Sequence, residues 1–60
     1  MTTYNIDIKE ESKSRSGIET FYTQAQQDTV RGALLEALTD YEENFATYDS
    51  RILSVTLTLA

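Results

Sequence analysis

Four residues in one short stretch carry the groups that nucleophilic chemistry requires: Ser12, Lys13, Ser14 and Ser16, within ESKSRSG at 11–17. A serine attacks only when a base beside it takes its proton, and a lysine serves as that base only when burial lowers its pKa. The stretch is small and polar, with nothing to bury a lysine, so it reads as a solvated turn. Its amides and two cations, Lys13 and Arg15, could face a phosphate, but one glycine and no following helix make a weak cradle. The paired carboxylates Glu10–Glu11 and Glu42–Glu43 are sequence neighbours, and neighbours on a strand or helix point apart. No Asp-rich loop carries the glycine that a calcium site needs at its sharp turn. The chain has no cysteine and no histidine, which excludes disulfides and thiolate sites and removes the commonest zinc ligand. The expectation is therefore no enzyme, no metal and no cofactor.

Charge narrows the partners. Ten acids against five bases give a net charge of −5 on 60 residues. So acidic a body repels nucleic acid and anionic membrane, which argues against direct binding to either. No apolar run approaches the length of a transmembrane helix. MTTYNIDIKEE has neither a basic start nor an apolar core, so no signal peptide is expected. A cysteine-free chain suits the reducing cytosol, and a cytoplasmic protein is the expectation.

The elements follow from apolar spacing. Thr2 to Glu11 alternates, with Tyr4, Ile6 and Ile8 on one side, as a half-buried strand does. Gly17 closes the turn and is free to take a positive φ. Ile18 to Ala25 reads as the second strand, with Phe21, Thr23 and Ala25 inward and Ile18, Thr20 and Tyr22 outward. From Asp28 to Tyr41, Val30, Ala33, Leu34, Ala37, Leu38 and Tyr41 form one stripe of a helix. Asp28 is the expected N-cap, and the helix is expected to fray between Tyr41 and Phe45, with Asn44 suited to a left-handed end. Ala46 to Ser50 is a loop. Arg51 to Ala60 reads as the third strand, with Leu53, Val55, Leu57 and Leu59 inward and Ile52, Ser54, Thr56 and Thr58 outward.

The fold class is thus α+β. One domain over 1–60 runs β-β-α-β, a single helix on one face of a three-stranded antiparallel sheet. The predicted core is Tyr4, Ile6, Ile8, Phe21, Val30, Ala33, Leu34, Ala37, Leu38, Tyr41, Leu53, Val55 and Leu57. A chain this short buries only about 60% of its unfolded surface, so self-association or docking on a partner is the remaining source of stability.

One placement breaks a local rule. Glu36, Asp40, Glu42 and Glu43 crowd the C-terminal half of the helix, where the macrodipole disfavours acids. Neither Glu36 nor Asp40 has a cation three or four residues away, and together they form a like-charged i, i+4 pair. Asp49 extends the acidic patch and Leu35 offers an apolar anchor beside it. Such rule-breaking sites are disproportionately functional. The expected role is protein binding, with this ridge engaging a basic partner as inhibitor, adaptor or nucleic-acid mimic. In size and charge the chain is similar to phage-encoded inhibitors of bacterial defence systems, including anti-CRISPR proteins. The alternative is a homo-oligomer, structural or holding a small ligand. It would assemble through the outer sheet face, with Ile18, Tyr22, Ile52 and Thr56 in the interface, or through an unpaired edge strand.

Overall fold

The computed structural model describes residues 1–15 and 17–60; Ser16, one of the four candidates in the turn, lies outside them. Strand β1 spans Thr2–Ser12 and strand β2 spans Gly17–Gln27, with a 3-10 turn over Lys13–Arg15 between them. Helix α1 spans Val30–Asn44 and strand β3 spans Arg51–Leu59. The three strands form one antiparallel sheet in the order β2-β1-β3, and α1 packs on one face of it. The fold is the expected β-β-α-β arrangement.

Central strand β1 sets the register. Tyr4, Ile6 and Ile8 stand opposite Ala25, Thr23 and Phe21 of β2, so the inward row of each strand lies under the helix. Gly17 takes the positive φ that the hairpin demands, at 125°. Strand β2 runs on to Gln27, two residues further than the spacing predicts. Only Asp28 and Thr29 are then left to turn the chain, and the N-cap falls on Thr29 rather than Asp28. The Gly32 amide donates to Thr29 Oγ1 at 3.0 Å. Gly32 suits this close approach, because a Cβ there would meet Gln27 Oε1 at 3.1 Å and Thr29 Oγ1 at 3.2 Å.

Helix α1 ends at Asn44, within the stretch expected, but Asn44 does not turn left-handed. The Phe45 ring sits 5.1 Å from Phe21 and 6.1 Å from Tyr41, and this aromatic cluster anchors the last turn. Asn44 stays helical and donates its Nδ2 to Asp40 Oδ1 at 2.6 Å.

The buried core is Tyr4, Ile6, Ile8, Ala25, Ala33, Ala37 and Tyr41. Phe21, Leu38, Phe45, Ala46 and Leu57 pack against it partly buried. Three expected core residues are instead exposed: Val30 at 49%, Leu53 at 42% and Val55 at 39%. Leu34 is only half-buried. The cause is where the lid lies. Ala33 and Ala37 let α1 settle closely over β2 and β1, and the short link at Asp28–Thr29 tethers it to the β2 edge. It leaves most of β3 uncovered, with Ile52 at the rim of the α1 cleft and Leu57 partly packed on the core.

A bulge corrects one more assignment. Lys9 pairs with Ser54 but Glu10 pairs with Ile52, so Leu53 is an extra residue and the strand changes phase. Ile52 therefore faces the helix side, where it lines a cleft with Leu38, Tyr41 and Ala46. Ile18, Tyr22 and Thr56 remain on the outer face, opposite the polar Glu11 and Asp7 of β1. The four residues expected to make one interface lie on two faces.

Candidate functional site

Helical spacing brings Leu35, Glu36, Asp40 and Glu43 together along the flank of α1 nearest β2, where they line one shallow depression with Gln27, Gly32 and Thr39. Strand β2 supplies donors to two of the acids. Gln27 Nε2 donates to Glu36 Oε1 at 2.7 Å and Thr23 Oγ1 donates to Asp40 Oδ2 at 2.8 Å. Together with Asn44, these neutral groups orient the carboxylates without cancelling their charge. The ion pairs among the described residues are Arg15–Glu10 and Arg51–Glu11. Of ten acids, subtracting those two leaves eight without a cation partner. The flank is an oriented line of negative charge with an exposed leucine, 56% accessible, at its side.

Two expected members stand elsewhere. Glu42 lies on the other flank, at the cleft with Leu38 and Ile52. Asp49 is caged. Its Oδ1 accepts from Thr47 Oγ1 at 2.7 Å, from Ser12 Oγ at 2.9 Å and from Ser14 Oγ at 2.9 Å, and its Oδ2 accepts from the Ser14 amide at 3.1 Å. These bonds, the one from Thr47 foremost and then that from Ser12, hold the carboxyl far below the usual carboxylate range. Asp49 thus ties the 3-10 turn to the loop before β3 and is not part of the acidic surface. Lys13 is exposed. Arg15 turns inward, with its guanidinium 4.0 Å over the Phe45 ring, and is not offered to a phosphate.

The cluster that sequence reasoning missed is centred on Glu10, which is 0% exposed. Tyr41 donates its hydroxyl to Glu10 Oε1 at 2.7 Å, and Arg15 Nη1 lies 3.6 Å from Oε2. Arg15 Nη2 donates to the Phe45 carbonyl. Burial pushes the Tyr41 phenol above its ordinary pKa, and its bond to Glu10 adds to the rise. The signal was present: Glu10 and Ser12 continue the inward alternation of Tyr4, Ile6 and Ile8. Glu10, Tyr41, Arg15 and Phe45 lock the hairpin turn to the end of α1.

Among the described residues no three of His, Cys, Asp or Glu gather where they could hold a metal, and no helix is long and apolar enough to cross a membrane. No protein-family model matches this chain, and no curated protein or solved structure is similar to it. The chemistry of its own surfaces is the ground for a function.

Proposed function

We propose that this protein is a non-enzymatic binding module. Its working surface is the acidic flank of α1, and its partner is a protein with a basic surface, of the kind that holds nucleic acid. The observation that carries this reading is the line Glu36, Asp40 and Glu43 with no cation among them, in which Gln27 orients Glu36, and Thr23 and Asn44 orient Asp40. Such a line stands in for a run of phosphates, and Leu35 adds an apolar contact that phosphates lack. Acting as an inhibitor or nucleic-acid mimic, the protein would occupy a site that its partner keeps for nucleic acid. A cytoplasmic setting and an anti-defence role of the phage type both fit that action.

The test is capture from lysate at about 50 mM and about 500 mM salt, conditions that bracket strong and weak screening. Beside the natural chain runs the triple variant Glu36→Gln, Asp40→Asn, Glu43→Gln. The expected result is a basic protein retained at low salt, released by high salt or by duplex DNA, and lost with the variant. A captured set that the variant leaves unchanged overturns the reading.

A further inference from the structure

Strand β3 is an edge of the sheet. The Ala60 amide donates to the Thr3 carbonyl of β1 at 3.0 Å. In an antiparallel ladder alternate residues turn their peptide groups to opposite sides. The groups of Thr58 and Thr56 therefore also point at β1, while those of Leu59, Leu57 and Val55 point away from the sheet. Natural edges are blunted by charges, prolines or a covering element. From Ile52 to Leu59 β3 has no charge and no proline, and α1 leaves most of it uncovered. Its side chains are exposed as well: Ile52 at 41%, Leu53 at 42%, Val55 at 39% and Leu59 at 70%.

We infer that this edge pairs with the same edge of a second copy, antiparallel, about a two-fold axis through Thr56. The strand is complementary to itself in that register. Val55 meets Leu57 of the second copy, both apolar, on the helix side, and the regular ladder stops at Ser54, before the bulge at Leu53. Ser54 meets Thr58 and Thr56 meets Thr56 on the outer side, and apolar and hydroxyl cross-strand pairs both stabilise a sheet. Arg51, already held by Glu11 at 3.1 Å, falls beyond the paired segment. Charge chooses this edge over β2: Glu36, Asp40 and Glu43 lie along the β2 side, so pairing through β3 keeps the acids of the two copies at opposite ends. Covering the edge backbone and its side chains in both copies removes on the order of 1,000 Å² from water, the size at which specific interfaces begin to hold. The product is a six-stranded sheet with a helix over each outer half. This pairing is independent of what the acidic flank binds.

Single cysteines test it, since the chain has none of its own. Thr56 faces its copy in a non-hydrogen-bonded pair, where Cα atoms lie about 4.5 Å apart, within reach of a disulfide. Thr56→Cys is expected to double the 6.8 kDa chain under mild oxidation. Ser54→Cys and Thr58→Cys, each roughly 13 Å along the strand from its own copy, are expected not to link alone but to link when mixed. Separately, Thr56→Lys and Thr56→Glu are each expected to weaken the dimer at least tenfold in sedimentation, with an equimolar mixture restoring it; far-UV circular dichroism checks the fold. Equal linking at all three positions, or a natural chain that sediments as a monomer at millimolar concentration, overturns the inference.

Discussion

The two outer strands of this sheet flank the same central strand, and on the helix side they meet different fates. Strand β2 has α1 above it, with Ala25 buried, Phe21 in an aromatic cluster and its polar residues donating to the helix acids. Strand β3 leaves Leu53, Val55 and Leu59 exposed to water, while Leu57 between them packs partly against the core. Apolar content does not explain the difference, since β3 is the more apolar of the two. Connection length does. Asp28 and Thr29 alone join β2 to α1, which pins the helix start to that edge. The loop from Phe45 to Ser50 leaves β3 free to dock on β1 without drawing the helix over. A single helix lids about two strands, and the short link decided which two.

Truncation on either side should expose this contrast most strongly. Ile6→Ala, under the helix at 0% exposure, is expected to cost about 2–5 kcal/mol in urea unfolding. Leu53→Ala, at 42% exposure on the uncovered strand, is expected to cost less than about 1 kcal/mol of monomer stability. Equal losses would mean that α1 covers β3 in solution.

A middle-sized effect belongs to the lock at the end of α1. Tyr41→Phe leaves a buried oxygen of Glu10 without its donor and is expected to cost about 1–3 kcal/mol. The raised pKa of Tyr41 makes its contribution complete below its unfolded value of about 10, and lost as pH rises through the higher folded one. Tyr41→Phe should therefore flatten the alkaline end of the stability profile. A steep loss above pH 10 that survives the substitution would assign it to another group.

The last effect is identified by its disappearance in acid. The carboxyl of Asp49 is held low by its hydroxyl cage. Its contribution is present above the unfolded pKa of about 4, and lost as pH falls through the depressed folded value. Asp49→Asn is expected to leave thermal unfolding at pH 7 less stable than the natural chain, with the gap narrowing below pH 4. A gap that stays constant to pH 2 would show that the cage holds Asn and Asp equally well.

Much of this was legible in the residues. Alternation in β1, the stripe on α1 and the position of Gly17 were enough for element order and topology. The grouping of Leu35, Glu36, Asp40 and Glu43 is a matter of helical spacing, and it too could be read. What escaped depends on the third dimension. Patterning says which face of β3 is apolar but not whether a lid reaches it, so Leu53 and Val55 were placed in the core. The run RILSVTLTL alternates from Leu53 onward, and the adjacent apolar pair Ile52–Leu53 does not by itself say that a bulge turns Ile52 inward. Glu10 escaped because a charge at an inward position is read as the end of the pattern, when Tyr41, distant in sequence, and Arg15, beyond the turn, had made it a continuation. Asp49 follows the helix acids in the chain but in space sits among the hydroxyls of Ser12, Ser14 and Thr47.

The bond from Ala60 to Thr3 means that the two ends of the chain meet at one corner of the sheet, with β1 and β3 as neighbours. The backbone is thus close to a closed ring. A short linker would join its ends, and Tyr48, 97% exposed in the loop before β3, marks a place to open it without cutting a strand or the helix. The permuted chain would run β3, β1, β2, α1, each strand followed by its neighbour in the sheet. What this fold requires is adjacency of strands, not the order in which they are threaded.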